Sequence, residues 1–302
     1  VLFGTVPAWF ASRPDINLAL REHSRSSTAG RSQHRLRHTL IVGEVAFAMV
    51  LLAAAGLFLR GLQRFINSDP GWRVDGLVTA QMSLRGDKYK DDKQSVSFVT
   101  ELENRLRTLP GVEHAAIGSS QPVFGFNSSS SFVVEGRPEP PKDKLPEMFF
   151  EPVSSDYFGT LGARLLQGRT FNQADTADHP NVVIINETTA RTFWPNESPV
   201  GKRIGNSGKK KEWQEVVGVI NDLAFPGSLG EPYTHFEAFV PVTQAAPRYL
   251  TLVLRTSANA ETLANSLRNS VAELDPSLPV YRIRSARAAV HQGLGDISLL
   301  GS

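Results

Sequence analysis

The stretch Leu40–Leu59 reads LIVGEVAFAMVLLAAAGLFL, twenty residues in which Glu44 carries the single charge. A helix of that length spans roughly 30 Å, the hydrocarbon thickness of a bilayer. Core helices of soluble domains usually keep a polar stripe, whereas Val45–Leu59 has no charged residue on any face. A secretory signal also fits poorly, because the run is long for an h-region and no clear small-x-small cleavage site follows. The stretch is therefore expected to cross a membrane. Glu44 lies about one turn in from the upstream end, where a carboxylate is costly and its default place is an inter-helix contact in a bundle.

Orientation follows from the basic residues in the flanks. Arg21, Arg25, Arg31, Arg35 and Arg37 precede the apolar run, against Arg60, Arg64 and Arg73 after it. The bias puts the N-terminal side in the cytoplasm and everything after about Leu62 outside it. Upstream, His23–Arg35 (HSRSSTAGRSQHR) is rich in Ser, Arg and Gly, the composition of a flexible basic linker lying against anionic lipid. Val1–Phe10 is apolar and open to two readings, a loop or buried strand and the tail of an earlier membrane helix. The first residue is Val1 rather than Met, so a fragment of a longer polypeptide is expected.

Composition narrows the function classes. The 302 residues are 41% hydrophobic, with 32 Lys and Arg against 30 Asp and Glu. A net charge of +2 lacks the basic excess of a nucleic-acid protein. With no cysteine, disulfide frameworks, zinc ribbons, iron–sulfur clusters and thiol catalysis are excluded. A mean hydropathy of −0.19 excludes a polytopic membrane protein, leaving room for one span.

After the apolar run, two stretches share one pattern. Leu77–Leu84 reads as a strand, Lys93–Leu109 puts Phe98, Val99, Leu102, Leu106 and Leu109 on one helical face, and VEHAAIG after Pro110-Gly111 is a second strand. Tyr249–Arg255 reads as a strand, Ala258–Leu274 lines up Ala260, Leu263, Leu267, Val271 and Leu274, and Val280–Arg284 is again strand-like. Two strand–helix–strand units so far apart predict the two halves of one α+β domain, split by a large insertion over roughly Gln121–Pro247. Within it, SFVVEG, MFFEPVS, NVVIIN and EWQEVVGVI are strand candidates, and Thr188–Phe193 makes one or two helical turns. Arg137–Glu147, with four prolines, is a loop, and the basic Gly208–Lys211 is a hairpin tip. Ser285–Gln292 starts a further helical pattern, and another membrane helix is expected beyond the end of the chain.

Chemistry is not visible. There is no phosphate-binding G-x-x-x-x-G-K-[ST], no G-x-G-x-x-G after a strand, no H-E-x-x-H and no calcium loop, and the seven His are scattered. Ser128–Ser131 lacks the G-x-S-x-G elbow and reads as a polar loop. Asp156 and Asp222 sit beside turn residues, where capping explains them better than acid–base catalysis. The Asn-x-Ser/Thr matches at Asn127, Asn186 and Asn196 are short enough to arise by chance. No catalytic, cofactor-binding or metal-binding residue is predicted, and no cofactor.

One ordered set of fragments is more specific than any of its parts. DYF-x-x-LG and GR-x-F within Pro152–Asp175, V-I-N-E, FWP and P-x-GKRI within Val182–Ile204, and VVGVINDL at Val216–Leu223 follow one another in that order. With LIVGEVAFAMVLLAAAGLFLRGL upstream, the chain from about Leu36 to Val290 resembles the permease subunits of MacB/FtsX-type ABC transporters. The resemblance covers their membrane helix and MacB-like extracytoplasmic core domain. It implies residues 40–62 as membrane helix and 63–295 as core domain, with porter-like halves at about 76–120 and 248–290 around a β-rich subdomain at 121–247. Residues 1–39 then resemble the end of a preceding permease unit plus a cytoplasmic linker, as in tandem duplicated permeases. The implied location is the cell inner membrane with the bulk periplasmic. The implied function is mechanotransmission in export or efflux, driven by a separate or fused ABC ATPase subunit. A second permease repeat or protomer, membrane lipid and a periplasmic adaptor are the further partners, nucleic acid is not, and the chain itself is not an enzyme. Read without the resemblance, a single-pass sensor or ligand-binding module is the alternative. A membrane-anchored hydrolase is disfavoured by the missing nucleophile and metal motifs.

Overall fold

A computed structural model of the chain describes residues 29–67, 70–119, 128–208, 211–223 and 235–289. They separate into two units, one through Ser68 and one from Asp69 onward. The first contains helix α1 (Ala29–Asn67). Its segment Arg37–Gly61 has a mean hydropathy of 2.3 and is not buried at all; Leu52 and Leu57 are each more than 70% exposed. Contiguous apolar surface of this kind marks an interaction site or a lipid-facing one. The flexible linker expected over His23–Arg35 is corrected in its second half, since residues 29–35 are helical. Once the apolar run has nucleated a helix, each further residue adds a hydrogen bond at little cost, and Ala, Arg and Gln are good helix formers. Residues 1–28, including the expected tail of an earlier permease unit, lie outside the described residues.

The second unit runs, in chain order, β1 (Leu77–Ser83), a 3-10 turn (Asp87–Lys90), α2 (Asp92–Arg107), β2 (Val112–Gly118), β3 (Ser129–Val134), a 3-10 turn (Lys142–Lys144), β4 (Glu147–Val153), α3 (Tyr157–Leu161), β5 (Leu165–Gly168), β6 (Val182–Asn186), α4 (Glu187–Phe193), β7 (Arg203–Asn206), β8 (Trp213–Ile220), β9 (Glu237–Pro241), β10 (Tyr249–Thr256), α5 (Ala260–Leu274) and β11 (Tyr281–Ser285).

Four strands form an outer sheet in the order β11–β1–β10–β2, every neighbouring pair antiparallel. β1 and β2 therefore run parallel to each other and are joined by α2, and α5 joins β10 to β11 in the same way. This is a split βαβ arrangement, the α+β pattern anticipated from the two repeated strand–helix–strand signals. The helices start where local chemistry directs them. Asp91 accepts from the Lys93 amide at 3.0 Å and Asn259 from the Thr262 amide at 2.8 Å, each satisfying an otherwise orphan donor. Phe98, Val99, Leu102 and Leu106 of α2 and Leu263, Leu267 and Val271 of α5 then pack on Ala80, Met82, Leu252 and Leu254 of the sheet.

The inserted half closes on itself. β4 pairs with β3, β3 with β7, β7 with β8, β8 with β6, β6 with β9, and β9 again with β4. A ring of six strands has no free edge among its members. Phe132, Met148, Val183, Ile185, Ile204, Val216 and Ala238 belong to one cluster, while the alternate residues Val182, Ile184, Val217 and Phe239 join Leu77, Ala116 and Val253 of the outer sheet in another. β6 is buried along its whole length, which is why NVVIIN reads as a continuous apolar run rather than an alternating one.

Three differences from expectation are local. Ser129–Ser131 belong to β3 rather than to a preceding polar loop, because their backbone pairs with β4. The proline-rich loop holds one 3-10 turn at Lys142–Lys144. Strands β5 and β9 carry no periodic sequence signal: each is short, and β9 (EAFVP) starts with a carboxylate and ends in proline. β7 pairs antiparallel with β8, and these two strands flank the expected hairpin tip at Gly208–Lys211.

Candidate functional site

Three places hold residues whose chemistry is not explained by packing alone. The first is α1 itself. Glu44 is exposed within the apolar surface, where a carboxylate is expensive to leave unpartnered.

The second is the seam between the outer sheet and the barrel. Phe158 and Phe239 meet edge to face with ring centroids 5.1 Å apart, and Tyr157 tilts against Phe239 at 6.4 Å. Two carboxylates are buried here, Glu151 fully and Glu237 to 2% exposure. Glu151 Oε2 accepts from the Ser119 hydroxyl at 3.0 Å. Glu237 Oε2 has no hydrogen-bond partner among the described residues. Burial, and then the charges of Asp222 and Glu151, push the Glu237 carboxyl well above the ordinary carboxylate range. Burial and the same two glutamates likewise raise the Tyr157 hydroxyl. A carboxyl held neutral can sit in an apolar seam without the desolvation penalty of a charge.

The third is the corner where the chain enters the second unit. Gly71 accepts at its carbonyl from Asn221 Nδ2 at 2.9 Å, and the Arg73 amide donates to the Leu161 carbonyl at 2.8 Å. Trp72 is buried in the seam cluster. Arg255, 5% exposed, donates to the carbonyls of Thr160 at 2.8 Å, Asp75 at 2.8 Å and Arg73 at 3.1 Å. Arg287, after β11, donates from Nε to Asp75 Oδ1 at 3.1 Å.

The residues singled out by sequence are scattered among these places. Asp222 does not cap its own turn: it reaches across to α4, whose N-cap is Asn186, and accepts there from the Thr188 amide at 2.8 Å and the Thr188 hydroxyl at 2.7 Å. Asp156 does not cap either: it stands at the start of α3 with no side-chain cap and pairs with His114 Nδ1 at 3.0 Å instead. Asn186 is fully buried and caps α4 through the Thr189 amide at 3.1 Å, so it is no glycan acceptor. Asn196 is exposed, and Asn127 lies outside the described residues. Among the described residues no group of three or more His, Asp or Glu is placed to hold a metal ion. Sequence reasoning missed Arg255, Asn221 and Glu237. The available signal was a charged or amide side chain at the end of an apolar strand run, YLTLVLR and VVGVIN, or at the start of one, EAFV.

Comparison with known proteins adds a family. The profile of the MacB-like periplasmic core domain matches residues 39–270. The macrolide export ATP-binding/permease protein MacB of Aggregatibacter actinomycetemcomitans is 25% identical over 221 residues, 71% of this chain and 32% of that protein. Its namesake from Mannheimia succiniciproducens is 20% identical over 224 residues, 74% of this chain and 32% of that one. The chain thus spans about a third of the length of these relatives. The solved periplasmic region of MacB from Actinobacillus actinomycetemcomitans is similar with a TM-score of 0.48 and 16% identity, covering 77% of this chain and 98% of that one.

Proposed function

Because this chain belongs to the family of MacB-like periplasmic core domains, we propose that it is a permease component of an ABC transporter working by mechanotransmission. In this reading α1 crosses the cell inner membrane, with the residues from Asp69 onward outside the cytoplasm. An ABC ATPase subunit in the cytoplasm hydrolyses ATP and displaces the membrane helices, and the outer body moves with them in export or efflux. A second permease repeat or protomer completes the membrane unit, a periplasmic adaptor is a further partner, and the chain itself performs no catalysis.

The observation that carries this reading is the presence of a helix whose apolar segment Arg37–Gly61 is unburied on the same chain as a body whose strands and helices are tied by continuous cores. Packed elements of that kind move as rigid bodies, which is what transfer of displacement requires. Affinity purification of the full-length protein from its own membranes tests it, and an ABC ATPase is expected to copurify. Recovery of a kinase or cyclase domain on the same polypeptide, with no ATPase, would turn the assignment to a sensor. Glu44 is assigned to an inter-helix contact, so Glu44→Leu is expected to weaken assembly with the second repeat or protomer. Unchanged assembly and unchanged transport would remove that role.

A further inference from the structure

Resting on the coupling reading above, we infer that Arg255 and Asn221 are positioning residues that weld the segment Gly71–Asp75 to both halves of the outer body. Displacement arriving from α1 then loads the inserted barrel and the outer sheet together at this segment.

The order of attachment along the chain is the first argument. Gly71 is bound to Asn221 and Arg73 to Leu161 and Arg255, just after β8, in α3 and on β10, before the chain reaches its first strand at Leu77. The residue following β8 is therefore the first polar tie that a pull on the incoming chain meets, and α3 and β10 hold the next. Gly71 is pressed close enough to make this contact stiff. Its φ is +77°, and a Cβ there would lie 2.1 Å from the Asp222 carbonyl oxygen, so no larger residue fits without moving β8's end.

Arg255 supplies the second tie. It stands on β10 of the outer sheet, and its guanidinium reaches Thr160 of α3 on one side and Arg73 and Asp75 of the incoming segment on the other. Three bodies share one planar, permanently charged group, and backbone carbonyls satisfy its donors. A lysine ammonium is a point charge on a flexible stem and cannot hold three carbonyls in that fork. Were the guanidinium removed, the buried Thr160 carbonyl and the half-buried bonds to Arg73 and Asp75 would lose their donors, and the incoming segment has no strand ladder of its own to replace them.

Hydrogen exchange of the full-length protein with its ATPase in lipid nanodiscs, nucleotide-free against ATP plus vanadate, tests the inference. In the wild type, amides of 71–76, of α3, of β10 and of the barrel strands are expected to change protection between the two states. In Arg255→Met and Arg255→Lys the nucleotide-dependent change in α3 and β10 should shrink by about tenfold, while that of β8, still held through Asn221, persists. A residue that merely stabilises the fold would raise exchange equally in both nucleotide states, and that result overturns the assignment, as does a response of α3 and β10 kept in full. Should Arg255→Met lose its fold, Asn221→Ala makes the converse comparison through the Gly71 contact, with β8 the strand whose response shrinks. A wild type whose outer body ignores nucleotide removes the coupling reading itself, and the node with it.

Discussion

The outer sheet and the inserted barrel are made of similar strands and solve burial differently. In the outer sheet one face is covered by α2 and α5, so β1 and β10 alternate between the helix core and the seam. In the barrel, β6 is buried on both faces and its neighbours come from distant parts of the chain, with β6–β8 and β4–β9 running parallel. The first solution takes its crossovers from two short stretches of sequence, but its strands pair across the whole insertion, Leu77 with Arg255 and Thr251 with Gly118. The second draws all six strands from residues 129–241. Pairing across the longer span forms late and depends on everything between, so the seam decides whether the two halves behave as one body.

The strongest way to break the comparison is at the seam. Phe239 is fully buried there and touches Tyr157 and Phe158, so Phe239→Ala should cost about 3–5 kcal/mol. Urea unfolding followed by probes in each half should show one shared transition shifted to lower denaturant. Two separate transitions would mean the halves are independent.

A smaller loss is expected in the outer sheet alone. Asp275 ends α5 and accepts from Tyr89 at 2.8 Å, Lys88 at 3.0 Å and the Ser277 hydroxyl at 2.6 Å. The Ser277 hydrogen bonds first, then those of Tyr89 and Lys88, hold its carboxyl far below the ordinary carboxylate range. With a depressed folded value, its stabilisation is present above the unfolded pKa and lost as pH falls toward the folded one. Asp275→Asn should therefore cost about 1–3 kcal/mol at neutral pH and flatten the acid limb of the stability profile. An unchanged acid limb would show that the carboxylate is not the group titrating there.

Glu237 in the seam has the opposite sign. Its raised value means that folding retains a proton there, so stability is complete below the ordinary carboxylate pKa and declines as pH rises toward the folded one. Glu237→Gln keeps the shape without the titration. It should leave stability within about 1 kcal/mol at low pH and relatively higher at alkaline pH, because a buried neutral amide has no charge to desolvate. Thermal melts across pH check this, and a variant as alkali-sensitive as the wild type would reassign the decline to another group.

How much of this was legible in sequence differs between the same two regions. The faces of α2 and α5 were readable from spacing, because Phe98, Val99, Leu102 and Leu106, or Leu263, Leu267 and Val271, repeat with the helical period and nothing else satisfies that pattern. The barrel strands β4, β6 and β8 were readable as strands, yet nothing in MFFEPV or VVIIN states which partner each takes. β5 and β9 were too short to register, since a run of four or five residues carries no periodic signal, and β7 was legible only through the hairpin turn that follows it. The buried Arg255 and Glu237 look in sequence like ordinary strand-end charges, and only neighbours far along the chain make them unusual.

What the amino-acid order determined alone is local: an apolar run long and uncharged enough to cross a membrane as a helix, two helices with one apolar face each, and the absence of any recognised catalytic motif. Spacing along a helix or strand encodes which side chains share a face, because backbone geometry fixes that period. Tertiary structure alone decided that the ring of strands closes, that the incoming segment is bound to α3 and β8 before it enters the sheet, and that one guanidinium joins three backbones. Those contacts lie between residues some 90 to 180 positions apart, and chain order carries no distance information at that range.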